Sequence, residues 1–295
     1  FGSDLAALKV HSDFTSEIDE NSLLSYLRYN YVPTPLSIYK KVYKLQPGTI
    51  LTLKVNSHKF VPGEIPDPEK YWSLENVITN GLSQPFKGGY KEAIVSLDKL
   101  LGASVKQQMI SDVPLGVFLS GGVDSSTIAA LMQSQSSLPI NTFTIGFHED
   151  DYNEAGYAKS IADHLGTRHH ELYVSAEEAR SVIPNLQNIY SEPFGDSSQV
   201  PTYLVSKLAK NHVTVSLSGD GGDELFGGYN RYHFADKYWP LINKLPRFAR
   251  NRLSSSLNHF QKNSTQGISK LLKSYFFSPD RLAFPVEKME KISTI

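Results

Sequence analysis

The sequence predicts an α/β protein: a parallel sheet with helices on both faces, preceded by a partial α+β region. Three observations predict it. From Leu115 onward, short apolar runs alternate with amphipathic stretches, the rhythm of βαβ units. Two of those runs end in glycine-rich polar loops, and ligands of open parallel sheets bind at such strand ends. Before Val61 the apolar pattern is short and broken by Pro and Gly, too little for a full core.

Taken in order, the first region holds a helix over 21–30, a Val32-Pro33-Thr34-Pro35 segment, the run Ile38 to Val42, a Gln46-Pro47-Gly48 turn and a strand over 49–55. Val61 to Tyr71, rich in Pro, Gly and acidic residues, has the composition of a linker. Apolar residues at helical spacing (Ala93, Ile94, Leu97, Leu100, Leu101, Val105, Met109) predict a helix over 92–109. Strand 115–119, helix 125–133, strand 140–147, helix 153–165, strand 169–174, helix 176–190, helix 202–211 and strand 213–217 follow. Four short apolar strands separated by helices call for a parallel sheet covered on both sides. The stretch from Tyr232 to Ile295 reads as helical, with Leu241, Ile242, Leu245, Leu253, Leu257, Leu271 and Leu272 as core positions.

The first glycine loop, Ser120-Gly121-Gly122-Val123-Asp124-Ser125-Ser126, has the residues of a pyrophosphate cradle. Gly121 and Gly122 let the backbone approach an anion, and the helix after them offers free N–H groups. Ser120, Ser125 and Ser126 add hydroxyls, and Asp124 can hold the metal that accompanies nucleotide phosphates. The loop lacks a Gly-Lys-Ser/Thr ending, which favours cleavage between the α- and β-phosphates. The bland alternative is a glycine turn in which Asp124 only caps the helix.

The second loop, Ser218-Gly219-Asp220-Gly221-Gly222-Asp223-Glu224-Leu225-Phe226-Gly227-Gly228-Tyr229, crowds three carboxylates into five residues. Like charges so close repel unless a cation offsets them. Magnesium takes one or two protein carboxylates plus substrate phosphates, which suits Asp124 with Asp223; a calcium loop or a solvated turn are the alternatives. Elsewhere, Asp196 and Ser197 of the Ser191 to Pro201 connection read as helix-start residues, with contact to an amino-acid substrate as the second reading. His169 and His170 alternate to opposite faces of a strand, which argues against a two-histidine metal site and for one packed and one solvated ring. Asn263-Ser264-Thr265 matches a glycosylation acceptor that has no meaning in a cytoplasmic chain.

A chain of 295 residues, 40% hydrophobic and 20% charged, can hold two modest domains. A net charge of −1 gives no basic field for nucleic acid. With no cysteine there is no disulfide, thiolate zinc site or cysteine nucleophile in this chain. No apolar run nears the ~20 residues of a bilayer span, and Phe1-Gly2-Ser3-Asp4 does not begin a signal peptide. The expectation is a cytoplasmic protein with no nucleic-acid or membrane partner. A first residue other than Met points to a piece of something longer.

Five segments, in order, resemble the glutamine-hydrolysing asparagine synthetase family: Ser-Gly-Gly-Val-Asp-Ser-Ser at 120–126, Thr-Phe-Thr-Ile-Gly-Phe at 142–147, Leu-Gly-Thr-Arg-His-His at 165–170, Glu-Pro-Phe-Gly-Asp-Ser-Ser at 192–198 and the loop at 218–229. Phe1 to Leu8 and the stretch from Tyr31 to Gly48 are similar to the closing part of that family's glutaminase domain. The resemblance implies an adenine-nucleotide alpha-hydrolase-like synthetase domain over 76–295, truncated at its C-terminus, after a glutaminase (Ntn-type) remnant over 1–75. It implies ATP and Mg2+, and amidation of aspartate to asparagine through β-aspartyl-AMP, releasing AMP and pyrophosphate, with nitrogen from glutamine or ammonia. Carried across, Ser120, Gly121, Gly122, Asp124 and Ser125 hold pyrophosphate and metal, while Leu119, Ile145, Ser218 and Gly219 line the adenosine pocket. Asp223 is the second metal ligand, and Asp220 stands beside the reacting carboxylate as the catalytic residue. The family's N-terminal cysteine, its Arg-x-Pro-Phe-Leu-Asp segment and its later lysine are not found; Phe284-Pro285-Val286-Glu287 is a poor counterpart. This leaves open an incomplete enzyme, amidation of another carboxylate in polysaccharide or secondary metabolism, or a nucleotide-binding pseudoenzyme, and it leaves a homodimer open.

Overall fold

The computed structural model describes residues 1–53, 66–148 and 153–252. The chain divides into two compact units, Phe1–Asp220 and a second beginning at Gly221. The boundary expected between residues 75 and 76 lies inside the first unit.

The amino-terminal part is built from short, well-capped pieces. α1 (Leu5–Lys9) starts at Asp4, whose carboxylate accepts from Ala6 N at 2.7 Å, and α2 (Glu20–Tyr29) starts at Asp19, which accepts from Ser22 N at 2.8 Å. Asn30 ends α2 in the left-handed conformation. β1 (Thr49–Ile50) pairs antiparallel with β2 (Glu69–Lys70), so among the described residues of the strand expected over 49–55 the first two are in a strand, and the linker composition contains the partner strand. Lys54, Val55 and the first half of the linker lie outside the described residues. α3 (Leu74–Ser83) is an element that the sequence reading did not anticipate, begun by Ser73 accepting from Asn76 N at 3.4 Å. α4 (Tyr90–Gln108) matches the predicted long helix, and Glu92 reaches back to Gly89 N at 2.8 Å.

The βαβ expectation holds. β3 (Leu115–Phe118), α5 (Val123–Ser134), β4 (Asn141–Phe147), α6 (Ala155–Leu165), β5 (Arg168–Val174), α7 (Ala176–Val182), α8 (Leu186–Ile189), α9 (Gln199–Ala209) and β6 (Val215–Leu217) follow in turn. The four strands lie in the order β5-β4-β3-β6, each pair parallel. The single helix predicted over 176–190 is instead two helices joined by a 3-10 turn at Ile183–Asn185, because Pro184 has no N–H to continue the ladder.

Strand alternation sorts the core onto two faces. Val117 and Leu119 pack with Val105, Ala129, Met132, Ala158 and Ala162 under α4, α5 and α6. On the other face Phe143 meets Ala209 and Val213, and Val174 meets Val182 and Leu204, under α7 and α9. Each fully buried Val, Leu, Met or Phe side chain among these stabilises the sheet by about 1.5–3 kcal/mol.

The two histidines of β5 do take opposite faces, one packed and the other partly exposed. His169 Nδ1 lies 2.8 Å from Thr142 Oγ1 with its ring 8% exposed, while His170 stacks on His212 (3.9 Å between centroids) and Phe143 (5.1 Å). Burial holds the His169 imidazole below its ordinary pKa, against the pull of Glu171 and Asp163. The second ring is less open than expected, because His212, arriving from the α9–β6 connection, stacks on part of it.

In the second unit, α10 (Gly222–Phe226) and α11 (Asn230–Asn243) are followed by helical residues 247–252. Ile242 and Leu245, expected in a core, are exposed, and Leu253, Leu257, Leu271, Leu272 and residues 263–265 and 284–287 lie outside the described residues. No helix among the described residues is long and apolar enough to cross a membrane.

Candidate functional site

β3 and β6 are hydrogen-bonded neighbours with Val117 opposite Leu217, so their carboxyl ends emerge side by side. Each delivers one of the two glycine loops to the same edge of the sheet.

The first loop is fixed from below. Leu119 is 1% exposed; its N–H donates to the Phe143 carbonyl at 2.9 Å and its own carbonyl accepts from the Thr144 hydroxyl. The chain then turns at Gly121, at φ +87°, where a Cβ would stand 2.8 Å from Tyr157 Cβ and 2.9 Å from Ala158 N on α6. Only glycine fits that turn against that helix. Ser125, buried in the first turn of α5, presents Oγ to Ser120 N at 3.2 Å and to Ser120 Oγ at 3.0 Å. The carbonyl of Gly122 accepts from Ser126 Oγ at 2.6 Å. α5 begins at Gly122 with no side-chain cap, so its first N–H groups point past the loop, positive end outward. Asp124 sits in that first turn, half-buried.

The second loop leans on the first. A Cβ on Gly219 would come within 2.6 Å of Ser125 N and 2.8 Å of the Asp124 carbonyl carbon, so the two backbones touch where a side chain would keep them apart. Ser218 Oγ donates to Asp220 Oδ2 at 3.0 Å, and Asp220 N donates back to Ser218 Oγ at 3.4 Å, which aims an exposed carboxylate from this edge. Beyond Asp220 the second unit begins. There Asp223 occupies the first turn of α10, its carbonyl accepting from Gly228 N at 3.0 Å. Tyr229 donates to Glu224 Oε1 at 2.7 Å; the bond to that carboxylate pushes the phenol up to about 12 and draws the Glu224 carboxyl below its usual range.

The first unit thus gathers Ser120, Gly121, Gly122, Asp124, Ser125, Ser218, Gly219 and Asp220 at two adjoining strand ends. Leu119 and Ile145 stand apart from these: the Leu119 side chain is in the core under α5, and Ile145 packs against the Val174, Val182 and Leu204 cluster. The cradle suits a polyphosphate, since it pairs an uncapped helix start with glycine backbone and hydroxyls. Among the described residues no three His, Cys, Asp or Glu side chains form an all-protein metal cage. Magnesium shared between phosphate oxygens and one or two carboxylates does not require one.

A family model for asparagine synthase matches residues 96–283. This chain belongs to the asparagine synthase family. A second model, for a glutamine amidotransferase domain, matches residues 1–72, ahead of the sheet. A putative asparagine synthetase [glutamine-hydrolyzing] 2 of Methanocaldococcus jannaschii is 37% identical over 256 residues, covering 85% of this chain and 46% of that protein. Asparagine synthetase [glutamine-hydrolyzing] 1 of Bacillus subtilis is 35% identical over 239 residues, 79% of this chain and 34% of its own length. The bovine asparagine synthetase [glutamine-hydrolyzing] is 33% identical over 172 residues. The chain spans less than half the length of these relatives.

Sequence reasoning missed two contributors. Thr144 ties Leu119 to the neighbouring strand through one hydroxyl, a bond with no signature in periodicity. Glu192, inside a connection read for its helix-start residues, points away from that helix altogether and toward Ile38 and Lys44. Asp196, read as a helix-start residue, accepts from Ser198 N at 2.8 Å in a turn ahead of α9, whose cap position Ser198 has no side-chain cap bond.

Proposed function

We propose that the protein amidates aspartate to asparagine at the expense of ATP, with glutamine or ammonia as nitrogen source, in the cytoplasm. One observation carries this reading: two glycine loops, nearly a hundred residues apart in sequence, meet backbone to backbone at adjoining strand ends, at Gly219 and Asp124–Ser125.

A side-chain carboxylate oxygen of aspartate attacks the α-phosphorus of ATP, the bond to the bridging oxygen breaks, and pyrophosphate leaves. Ammonia then attacks the acyl carbon of β-aspartyl-AMP, losing a proton, and AMP departs. Ser120, Gly121, Gly122, Asp124 and Ser125 receive the pyrophosphate; backbone donors fixed before reaction stabilise the charge that develops on it. Ser218 and Gly219 are assigned to the adenosine side, with Leu119 and Ile145, whose side chains pack in the core, contributing through the strand ends that carry them. Asp220 stands next to the reacting carboxylate, and Asp124 and Asp223 hold magnesium, which when bound offsets the phosphate charge. Residues 1–75 are assigned to the glutaminase side and 76–295 to the synthetase side.

The test is pyrophosphate release by the full-length gene product with ATP, aspartate and ammonium. Release that requires aspartate and falls in the Asp124→Asn variant supports the reading. Release with another carboxylate but not aspartate moves the reaction to that acceptor, and ATP binding without release under any acceptor overturns it.

A further inference from the structure

The connection from Ser191 to Ser198 lies at the same edge of the sheet as the glycine loops. It precedes α9, whose far end leads through Val213 to the start of β6, where Thr214 N donates to the Pro114 carbonyl at 3.0 Å just before β3. α9 therefore runs back along the sheet, and its 11 residues, at about 1.5 Å each, set its first turn at the carboxyl edge.

Five polar contacts tie the first half of this connection to three separate amino-terminal elements. Glu192 Oε1 accepts from Ile38 N at 2.7 Å, and its other carboxylate oxygen pairs with Lys44 Nζ. Lys44 Nζ also donates to the carbonyl of buried Val32 at 2.7 Å. Gly195 N donates to the carbonyl of Asn30, the residue closing α2, at 2.6 Å. Ser191 Oγ donates to Asp4, the cap of α1, and accepts from Ala6 N at 3.2 Å. The Glu192 side chain is 17% exposed and that of Lys44 33%, so this pair is more sheltered than an ordinary surface bridge. The second half of the connection is fastened by Asp196 accepting from Ser198 N, and Tyr190, just ahead of the connection, donates through Oη to the Gln199 carbonyl on α9 at 2.9 Å.

We infer that Glu192 is a positioning residue that couples the amino-terminal segment to the nucleotide edge of the sheet: occupancy by ATP stiffens the 191–198 connection, and Glu192 passes that order to residues 30–44. The inference rests on the proposed nucleotide site. The coupling is reciprocal, since a contact through which ATP orders the segment is one through which the segment strengthens ATP binding. No other side chain reaches both the Lys44 charge and the Ile38 amide among the described hydrogen bonds and ion pairs.

The test is hydrogen exchange of the 295-residue protein with and without saturating magnesium–ATP, read at residues 30–44, beside ATP affinity measured by equilibrium binding. In the parent protein ATP slows exchange there by about fivefold or more. Glu192→Gln, which keeps an acceptor for Ile38 N but not the charge, loses part of that protection; Glu192→Ala loses all of it, and the exchanged pair Lys44→Glu with Glu192→Lys regains part. Ser191→Ala removes the Asp4 tie alone and retains most of the protection, so the coupling can be judged even where Glu192→Ala does not fold. ATP-dependent protection that persists in full in Glu192→Gln and Glu192→Ala overturns the inference while leaving the nucleotide site intact. A parent protein that binds no ATP overturns the nucleotide site, and this inference with it.

Discussion

The two glycine loops leave neighbouring strands at the same edge of one sheet, yet they are held in opposite ways. The first is braced by a buried leucine below, by α6 behind Gly121 and by the Ser120–Ser125 hydroxyl pair. The second touches firm structure at Gly219 and then runs into α10, five residues long with none buried. The rigid loop carries the donors, whose value lies in being fixed before charge develops. The other brings most of the carboxylates, which repel one another, and under the proposed function freedom to adjust lets them settle around a cation.

The sharpest way to break this comparison uses two glycines of nearly equal φ. Gly121 (+87°) has α6 against it, whereas Gly221 (+92°) has open space where a Cβ would go. Gly221→Ala pays only for the left-handed conformation, about 1–2 kcal/mol. Gly121→Ala adds a clash with Tyr157 and the α6 backbone, for a total of about 3–4 kcal/mol. Urea denaturation of the two variants measures the gap, and equal losses would mean that α6 does not brace the first loop.

Next in size is the separation of charge from scaffold. Asp124→Asn and Asp223→Asn each lower pyrophosphate release by about 100-fold, with little change in the urea midpoint, because each removes charge without removing a packed group. A fall confined to Asp124→Asn would remove the second loop from the metal.

Ser125→Ala probes the bracing itself. It leaves Ser120 N without its 3.2 Å acceptor in a partly buried site and lowers stability by about 1–2 kcal/mol. The corresponding change in the second loop, Ser218→Ala, frees the carboxylate and the long 3.4 Å N–H bond of exposed Asp220 and shifts stability by less than about 0.5 kcal/mol. Thermal melts of both variants decide it.

How much of this was legible in the sequence follows from the range of each interaction. The sheet was legible, because burial on two faces forces near-continuous apolar strands such as Thr142 to Phe147, and glycines had to stand where strands end. The loop residues were legible by type, since Gly121 and Ser125 answer to local backbone needs. α3 was not: Leu74, Val77, Ile78 and Leu82 have helical spacing, but the Pro- and Gly-rich stretch before them signalled a linker, and all four remain exposed. The break at Pro184 was hidden by an amphipathic pattern that continues through it. Nor could any spacing rule join Glu192 to Lys44, because that pair is set by how a connection folds back across about 150 residues of chain, and periodicity reports only the near side of a contact.

The smallest effect sharpens the description of the second loop. Tyr229 and Glu224 share one exposed hydrogen bond, which raises the phenol from 10.0 to about 12 and lowers the carboxyl. A raised acid contributes stability that is complete below its unfolded pKa and is lost as pH climbs through the folded one, so this bond weakens between pH 10 and about 12. The Glu224 half works in the other direction, present above the unfolded carboxyl value and lost as pH falls through the lowered one. A spectrophotometric titration following phenolate absorbance, with Tyr229→Phe subtracted, should place this phenol near 12 in the parent and return it toward 10.0 in Glu224→Gln. A phenol already titrating near 10.0 in the parent would show that Tyr229 does not hold Glu224, leaving the second loop with even less bracing than its Gly219 contact provides.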